Sequence, residues 1–216
     1  MKKLVLSLAA VLTFGLASAQ ETKFGVKAGV GLTNLAQSGK DSDGVDSPDS
    51  KLGVQFGAFA EIKLDDKFAF QPELLFSTQG AKSKESVSST GYSYSSETKL
   101  NFSYINVPLM MKYYATEKFS LEFGPQVGFL MSAKAKTDSS TTILGTTEST
   151  STNEDVKKFY NSTDFGLNIG AGYNFTDNLS AGLRYNLGLS NVYKEQSGED
   201  YKLKNRVISL QLGYRF

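Results

Sequence analysis

Histidine, cysteine and tryptophan are all missing from this chain of 216 residues. Without cysteine there is no disulfide and no thiolate nucleophile. Without histidine, the usual general base of serine- and cysteine-type hydrolysis is absent, which argues against lipase, protease and lipid-modifying activity. No catalytic residue is assigned, the chain is expected to be non-enzymatic, and no cofactor is expected. Long apolar runs are equally scarce. The only one, Leu4 to Leu16, is shorter than the ~20 residues of a membrane-crossing helix. Charge of either sign is not in excess, with 23 basic against 22 acidic residues, and it is not clustered, so nucleic acid is not an expected partner.

What the short run does resemble is a secretory signal. Lys2 and Lys3 precede the apolar stretch, and Ala17-Ser18-Ala19 offers a small-residue cleavage site. Residues 1–19 are therefore read as signal peptide and residues 20–216 as one β-barrel domain. With nothing after Phe216, no appended peptidoglycan-binding domain is expected.

The rest of the chain is organised by alternation. From Asp164 to Ser190, Phe165, Leu167, Ile169, Ala171, Tyr173 and Phe175 alternate with small or amide residues. The pattern breaks at Thr176-Asp177-Asn178 and resumes with Leu179, Ala181, Leu183, Tyr185, Leu187 and Leu189. Side chains on a strand alternate faces, so this is a β-hairpin with one wholly apolar side. The same period recurs from Lys23, Leu52, Phe68, about Leu100, Phe119 and about Lys204. Eight strands result, joined alternately by long polar stretches and by short turns at Asp65-Asp66-Lys67, Thr116-Glu117-Lys118 and Thr176-Asp177-Asn178. Even strand number with long loops on one rim and tight turns on the other is the pattern of an outer-membrane barrel. The predicted fold is all-β, an eight-stranded antiparallel up-and-down transmembrane β-barrel in the cell outer membrane. The long stretches Asn34–Ser50, Lys82–Thr98, Lys134–Tyr160 and Lys194–Lys204 are expected to be loops.

The segregation of charge decides which side faces lipid. The apolar set carries none, whereas the opposite set carries Lys27, Glu61, Glu73, Lys112, Glu122, Arg184 and Arg215. A basic residue facing lipid at mid-depth costs about 2–4 kcal/mol, so the charged set belongs in the bore, where Lys27, Glu61, Glu73, Lys112, Glu122 and Arg184 are expected to pair. Glu73, Glu122 and Lys112 are read as part of this ladder rather than as a catalytic set. An eight-stranded bore is just wide enough for its own side chains, so open diffusion is not expected. Pro72, Pro108 and Pro125 fall inside strands, where β-bulges are expected. The even-numbered Leu100 and Phe102 against the odd set from Ile105 to Tyr113 imply a further bulge near Tyr104. No metal site is assigned. The nearest approach to one is Asp41, Asp43, Asp46 and Asp49, alternating carboxylates that are weak calcium candidates, lacking the glycine and glutamate spacing of an EF-hand.

Three stretches carry a family likeness: Gln71-Pro72-Glu73-Leu74-Leu75-Phe76-Ser77, Tyr104-Ile105-Asn106-Val107-Pro108-Leu109-Met110-Met111-Lys112-Tyr113-Tyr114, and Gly124-Pro125-Gln126-Val127-Gly128-Phe129-Leu130. With the signal peptide and terminal Phe216 they resemble the PorT-like outer-membrane β-barrel family of Bacteroidota, with Asn106 standing where the pattern has an acidic residue. The resemblance implies outer-membrane lipid as solvent and, from the family's name, a link to protein secretion. The expected role is structural or surface-interacting, carried by the long extracellular loops. The alternative is a narrow channel or an accessory of secretion, with an extracellular or secretion-machine protein as partner. Tyr214 and Phe216, ending the last strand, are expected to be read by the barrel-assembly machinery.

Overall fold

The computed structural model describes residues 22–38, 48–194 and 202–216. The signal-peptide assignment, and Asp41, Asp43 and Asp46 of the calcium candidate, lie outside the described residues. Nine strands follow in order: β1 Thr22–Ser38, β2 Lys51–Lys63, β3 Phe68–Ser89, β4 Tyr92–Tyr114, β5 Phe119–Ile143, β6 Thr146–Asp155, β7 Thr163–Asn174, β8 Leu179–Gly188 and β9 Lys202–Arg215. All neighbours are antiparallel. β1 pairs with both β2 and β9, and β5 pairs with both β4 and β7, so eight strands close into a ring with no free edge. β6 pairs only with β5 and stands outside the ring. No described helix is long and apolar enough to cross a membrane; the crossing is made by strands.

The three tight turns repeat one device. Asp65 Oδ1 accepts from the amides of Lys67 and Phe68 at 2.7 and 2.8 Å. Thr116 Oγ1 does the same for Lys118 and Phe119, and Thr176 Oγ1 for Asn178 and Leu179. A short polar side chain thus replaces the missing backbone acceptor, which is how Asp and Thr initiate turns. Both ends of the described chain, Thr22 and Phe216, lie at this turn end.

Lipid-side and bore-side residues separate cleanly. Phe24, Val26, Phe56, Leu74, Phe123, Ile169 and Leu210 are among the large apolar side chains left exposed on the outside, while Lys27, Glu61, Glu73, Lys112, Glu122, Arg184 and Arg215 are buried. For a protein in water this distribution would be inverted; in a bilayer it is the low-energy one.

Three sequence expectations are corrected. First, residues 82–98 and 134–160 are largely not loops. β3 and β4 continue as a paired hairpin to a turn at Thr90-Gly91, and β5 and β6 as another to Leu144-Gly145, with β4 and β5 paired along the whole length. The result is a four-stranded sheet projecting from the loop end. Its Ser and Thr residues suit strands, but without apolar alternation the period is invisible in the sequence.

Second, the bulge expected near Tyr104 is present, but it does not reverse the phase of β4. Phe102, Tyr104, Asn106, Met110 and Lys112 all face the bore. The register shift lies between Ser103 and Tyr104, and the extra residue is Met131 on β5, because Ser103 pairs with Ser132 and Tyr104 with Leu130.

Third, the prolines make no bulges. Pairing lapses between Phe59↔Glu73 and Ile62↔Phe70, between Pro72↔Leu109 and Leu75↔Asn106, and between Pro108↔Gln126 and Met111↔Phe123, yet the register is unchanged across each gap. Pro72 lies opposite Leu109, and Pro108 opposite Gln126 beside Pro125. The three family-like stretches therefore sit side by side on β3, β4 and β5, and their prolines form a line of missing donors at one height.

Glycines let the neighbouring backbones approach closely beside these gaps. A Cβ on Gly124 would lie 2.0 Å from the carbonyl oxygen of Leu109, and one on Gly57 would lie 2.0 Å from that of Leu74. Gly124→Ala is expected to destabilise the barrel by about 1–3 kcal/mol, because a carbonyl in the wall has nowhere to move. Gly182→Ala, whose nearest backbone atom would be 3.3 Å away, should be near neutral. Denaturant unfolding of the two variants in the same detergent checks this; equal stabilities would contradict the close approach.

Candidate functional site

The bore is built in layers. At the turn end it opens as a vestibule of about 730 Å³, walled by residues that include Lys23, Lys63, Lys67, Glu117, Asp177 and Arg215. Above it lies the first charge group. Glu61, on β2, accepts from Lys112 Nζ, Arg215 Nη1 and the Tyr114 hydroxyl, each at 2.8 Å. Arg215 belongs to this group although the pairing expected from sequence omitted it.

The second group centres on Glu73 from β3, 3 % exposed. It accepts from Lys27 Nζ at 2.8 Å, from Gln71 Nε2 at 2.6 Å and from Arg184 through both Nη1 and Nη2 at 2.8 and 2.9 Å. The same Arg184 reaches Glu122 Oε2 at 2.6 Å. Four strands, β1, β3, β5 and β8, are thus tied across the bore by one fork and two carboxylates. Such bidentate, charge-assisted bonds are the strong kind. All six residues expected in the bore, Lys27, Glu61, Glu73, Lys112, Glu122 and Arg184, lie in these two groups. Glu73, Glu122 and Lys112 are not arranged as a catalytic set: both carboxylates hold Arg184, and the lysine is held by Glu61.

A layer of amides, hydroxyls and one carboxylate follows. Asn106 Nδ2 donates to Ser77 Oγ at 2.7 Å, and Asn186 Nδ2 to Asn168 Oδ1 at 3.0 Å. Asp164 accepts from Ser190 Oγ at 2.6 Å and Asn205 Nδ2 at 2.8 Å. A cavity of about 20 Å³ beside Gln79 and Arg184, and another of about 20 Å³ beside Lys27 and Glu122, are the size of a single water.

The loop end is closed by an apolar plug. Leu35, Ala81, Phe102, Tyr104, Leu130, Ala133 and Leu203 point inward from the strands, and Tyr160 and Val192 fold in from the connections. The Phe102 and Tyr160 rings meet edge-on at 4.7 Å. The inserted segments are pinned by Val192 N donating to Leu203 O and Asn161 N to Val192 O, both at 2.8 Å. Sequence reasoning did not foresee this plug. Its signal was there, since Leu35, Phe102, Leu130 and Leu203 are apolar residues out of phase with the lipid-facing set on their own strands.

Among the described residues no group of three or more acidic, His or Cys side chains is placed to hold a metal. Asp49, the described member of the calcium candidate, is engaged through its backbone with Lys82, its amide donating at 2.7 Å. Tyr214 and Phe216 stack edge-on on the outer surface at 5.7 Å, and Phe216 N donates to Phe24 O at 2.9 Å.

Several solved structures have similar backbones. Ail, the attachment invasion locus protein of Yersinia pestis, is 15% identical over 91% of this chain and 99% of that one, with a TM-score of 0.43. Neisserial surface protein A is 15% identical over 91% and 99%, with a TM-score of 0.46. The outer membrane protein OprG from Pseudomonas aeruginosa is 10% identical over 91% and 97%, with a TM-score of 0.44. No curated protein matches the sequence. The family model described as outer membrane protein beta-barrel domain matches residues 18–194, and with its closed ring of lipid-facing strands and filled bore this chain belongs to that family of outer-membrane proteins.

Proposed function

We propose that this outer-membrane barrel is a non-enzymatic, closed scaffold whose work is done by the rigid sheet it displays outside the cell. Short turns face the periplasm and long connections the exterior in such barrels, so the β3–β6 sheet is the extracellular feature. The observation that carries the reading is the end of that sheet. Leu144 is 87% exposed and holds a left-handed φ of 47° at a hairpin turn. That position favours Asn or Gly and costs a leucine about 1–3 kcal/mol. Val87, Tyr92 and Ile143 are exposed beside it, and the pairings Ser89↔Tyr92 and Tyr92↔Ile143 put them on one face. An exposed, strained apolar tip on a Ser/Thr-rich sheet fits a protein partner at the cell surface.

The alternative, a narrow channel or a secretion accessory as the PorT-like likeness to Bacteroidota barrels suggests, is favoured by the turn-end vestibule, which opens to the periplasm. Photo-crosslinking groups placed at Leu144 and, separately, at Asp177 distinguish the two in living cells. A surface role predicts adducts from Leu144 alone; adducts from Asp177 alone would replace it with the periplasmic role.

The terminal aromatic pair belongs to biogenesis in this proposal. Tyr214 and Phe216 present the last strand to the barrel-assembly machinery before β9 closes on β1. Deleting Phe216 should then lower the inserted amount several-fold while the inserted fraction keeps its heat resistance, checked by membrane abundance at matched expression. Normal abundance with lowered heat resistance would make Phe216 a packing residue only.

A further inference from the structure

The outward face of the wall changes character abruptly at its extracellular border. On β3 the lipid-facing row ends at Phe76 and is followed, on the same face, by Thr78, Gly80 and Lys82. On β4 it ends at Ile105, followed by Ser103, Asn101 and Lys99. On β5 it ends at Met131, and the next charged outward residue is Lys134, with Lys136 two further on. The intervening Ala81, Phe102 and Ala133 belong to the buried plug, so the lysines point away from it. On β9 the row ends at Ile208, and the next outward residue is the exposed Arg206. On each of these four strands the first charge above the apolar band is basic. The turn-end rim mixes signs instead, with Lys63, Asp65, Asp66, Lys67, Glu117 and Lys118.

Register sets several of these like charges side by side. Lys82 lies directly opposite Lys99, and Lys99 directly opposite Lys136. Like charges in that relation repel. One row nearer the bilayer, Asn101 lies between Gly80 and Lys134, and Lys51 Nζ donates to its side chain. Glu97 bridges Lys84 and Lys99, and Asp138 pairs with Lys136 at 3.0 Å. Asp49 also lies opposite Lys82, and Asp155 opposite Lys134. Against these four carboxylates stand the six ammonium groups of Lys51, Lys82, Lys84, Lys99, Lys134 and Lys136, an excess of two at the sheet's base.

We propose that this patch, Lys82, Lys99, Lys134 and Lys136 around Asn101, is a binding site for phosphate groups of the outer-leaflet glycolipid. The chemistry is that of ammonium donors to phosphate oxygens, in a geometry where the lipid presents its phosphates to the wall at fixed depth. A bound phosphate relieves the Lys82–Lys99–Lys136 repulsion, so occupancy and fold stability are linked. The site anchors the base of the projecting sheet to the membrane surface.

The test uses the full-length barrel in neutral detergent, with bisphosphorylated lipid A as probe. Three comparisons are needed: dephosphorylated lipid A, inorganic phosphate, and the variant K82Q/K99Q/K136Q. Binding is read by native mass spectrometry, and the thermal midpoint by loss of the heat-resistant folded band. Lipid A should bind the wild type at least tenfold more tightly than the triple variant and raise the midpoint of the wild type but not that of the triple variant. The turn-end variant K63Q/K67Q should behave as wild type. Without lipid, the triple variant should be about as heat-resistant as wild type, because the Lys82–Lys99–Lys136 repulsion is removed together with the exposed Glu97–Lys99 and Asp138–Lys136 pairs. If it fails to fold, K82Q alone should still weaken binding severalfold. Equal binding by variant and wild type, equal binding of dephosphorylated lipid, or an equal response to inorganic phosphate would each overturn the proposal.

Discussion

Replacing Glu73 by leucine is expected to destabilise the folded barrel by about 3–5 kcal/mol, the usual cost of stripping one partner from a buried ion pair. The magnitude follows from what Glu73 holds. It accepts from Lys27 Nζ at 2.8 Å, and it takes both ends of the Arg184 fork. Leucine of similar size fills the space but leaves two cations in a bore with one anion, Glu122, nearby. Glu73→Gln keeps hydrogen-bonding capacity without the charge and should fall between. Arg184→Leu should also be severe, because Glu122 then loses its 2.6 Å partner. The double change E73L/R184L should cost less than the two single costs added, since each removes a charge the other stranded. Denaturant titration of the four proteins in one lipid system, read by the heat-resistant band, gives the cycle. Additive costs would mean that the bore is wet enough to screen these groups.

Phe102→Ala should cost about 3–5 kcal/mol for a different reason: it opens a cavity. Phe102 is 1% exposed and meets both Tyr160 at 4.7 Å and Tyr104 at 6.3 Å. Because Tyr160 and Val192 come from connections rather than from the wall, their hold on the mouth depends on this ring. The expected signature is local. Amide exchange should quicken across residues 156–162 and 190–194 while the strands around Glu73 stay protected. Loss of protection uniformly through the barrel would show that the plug is not a separate layer.

These two variants also mark how far the sequence could be read. The charge groups were legible because lipid enforces them: a side chain such as Glu73 or Lys112 has no low-cost place on the outer face, so alternation alone assigns it to the bore. The partners within the bore were not legible, since any of eight strands can meet any other across it, and Arg215 was left out for that reason. The plug was hidden by the opposite effect. Apolar residues are expected on the lipid side, so Phe102 beside Leu100 reads as a shift of phase, when β4 keeps its phase and the irregularity is Met131 on β5. Leu35 and Leu203 break the same rule in isolation, too briefly to register as a pattern. The projecting sheet was missed because hydroxyl residues such as Thr98 and Thr137, bonded to one another at 3.1 Å, carry no polarity contrast between faces. Prolines misled in the other direction. A single proline implies a bulge, but three at one height on adjacent strands share a gap in pairing, beside the close approaches at Gly57 and Gly124, without a change of register.

The bore is closed twice, by the Glu73–Arg184 layer and by the Phe102 plug, and the proposed role as a closed, displaying scaffold rests on both closures. Single-protein recording in planar bilayers tests this most directly. No conductance steps are expected from wild type, and none from Phe102→Ala, whose charge layer is intact. Stable, stepwise ion conductance from the wild-type protein would contradict it.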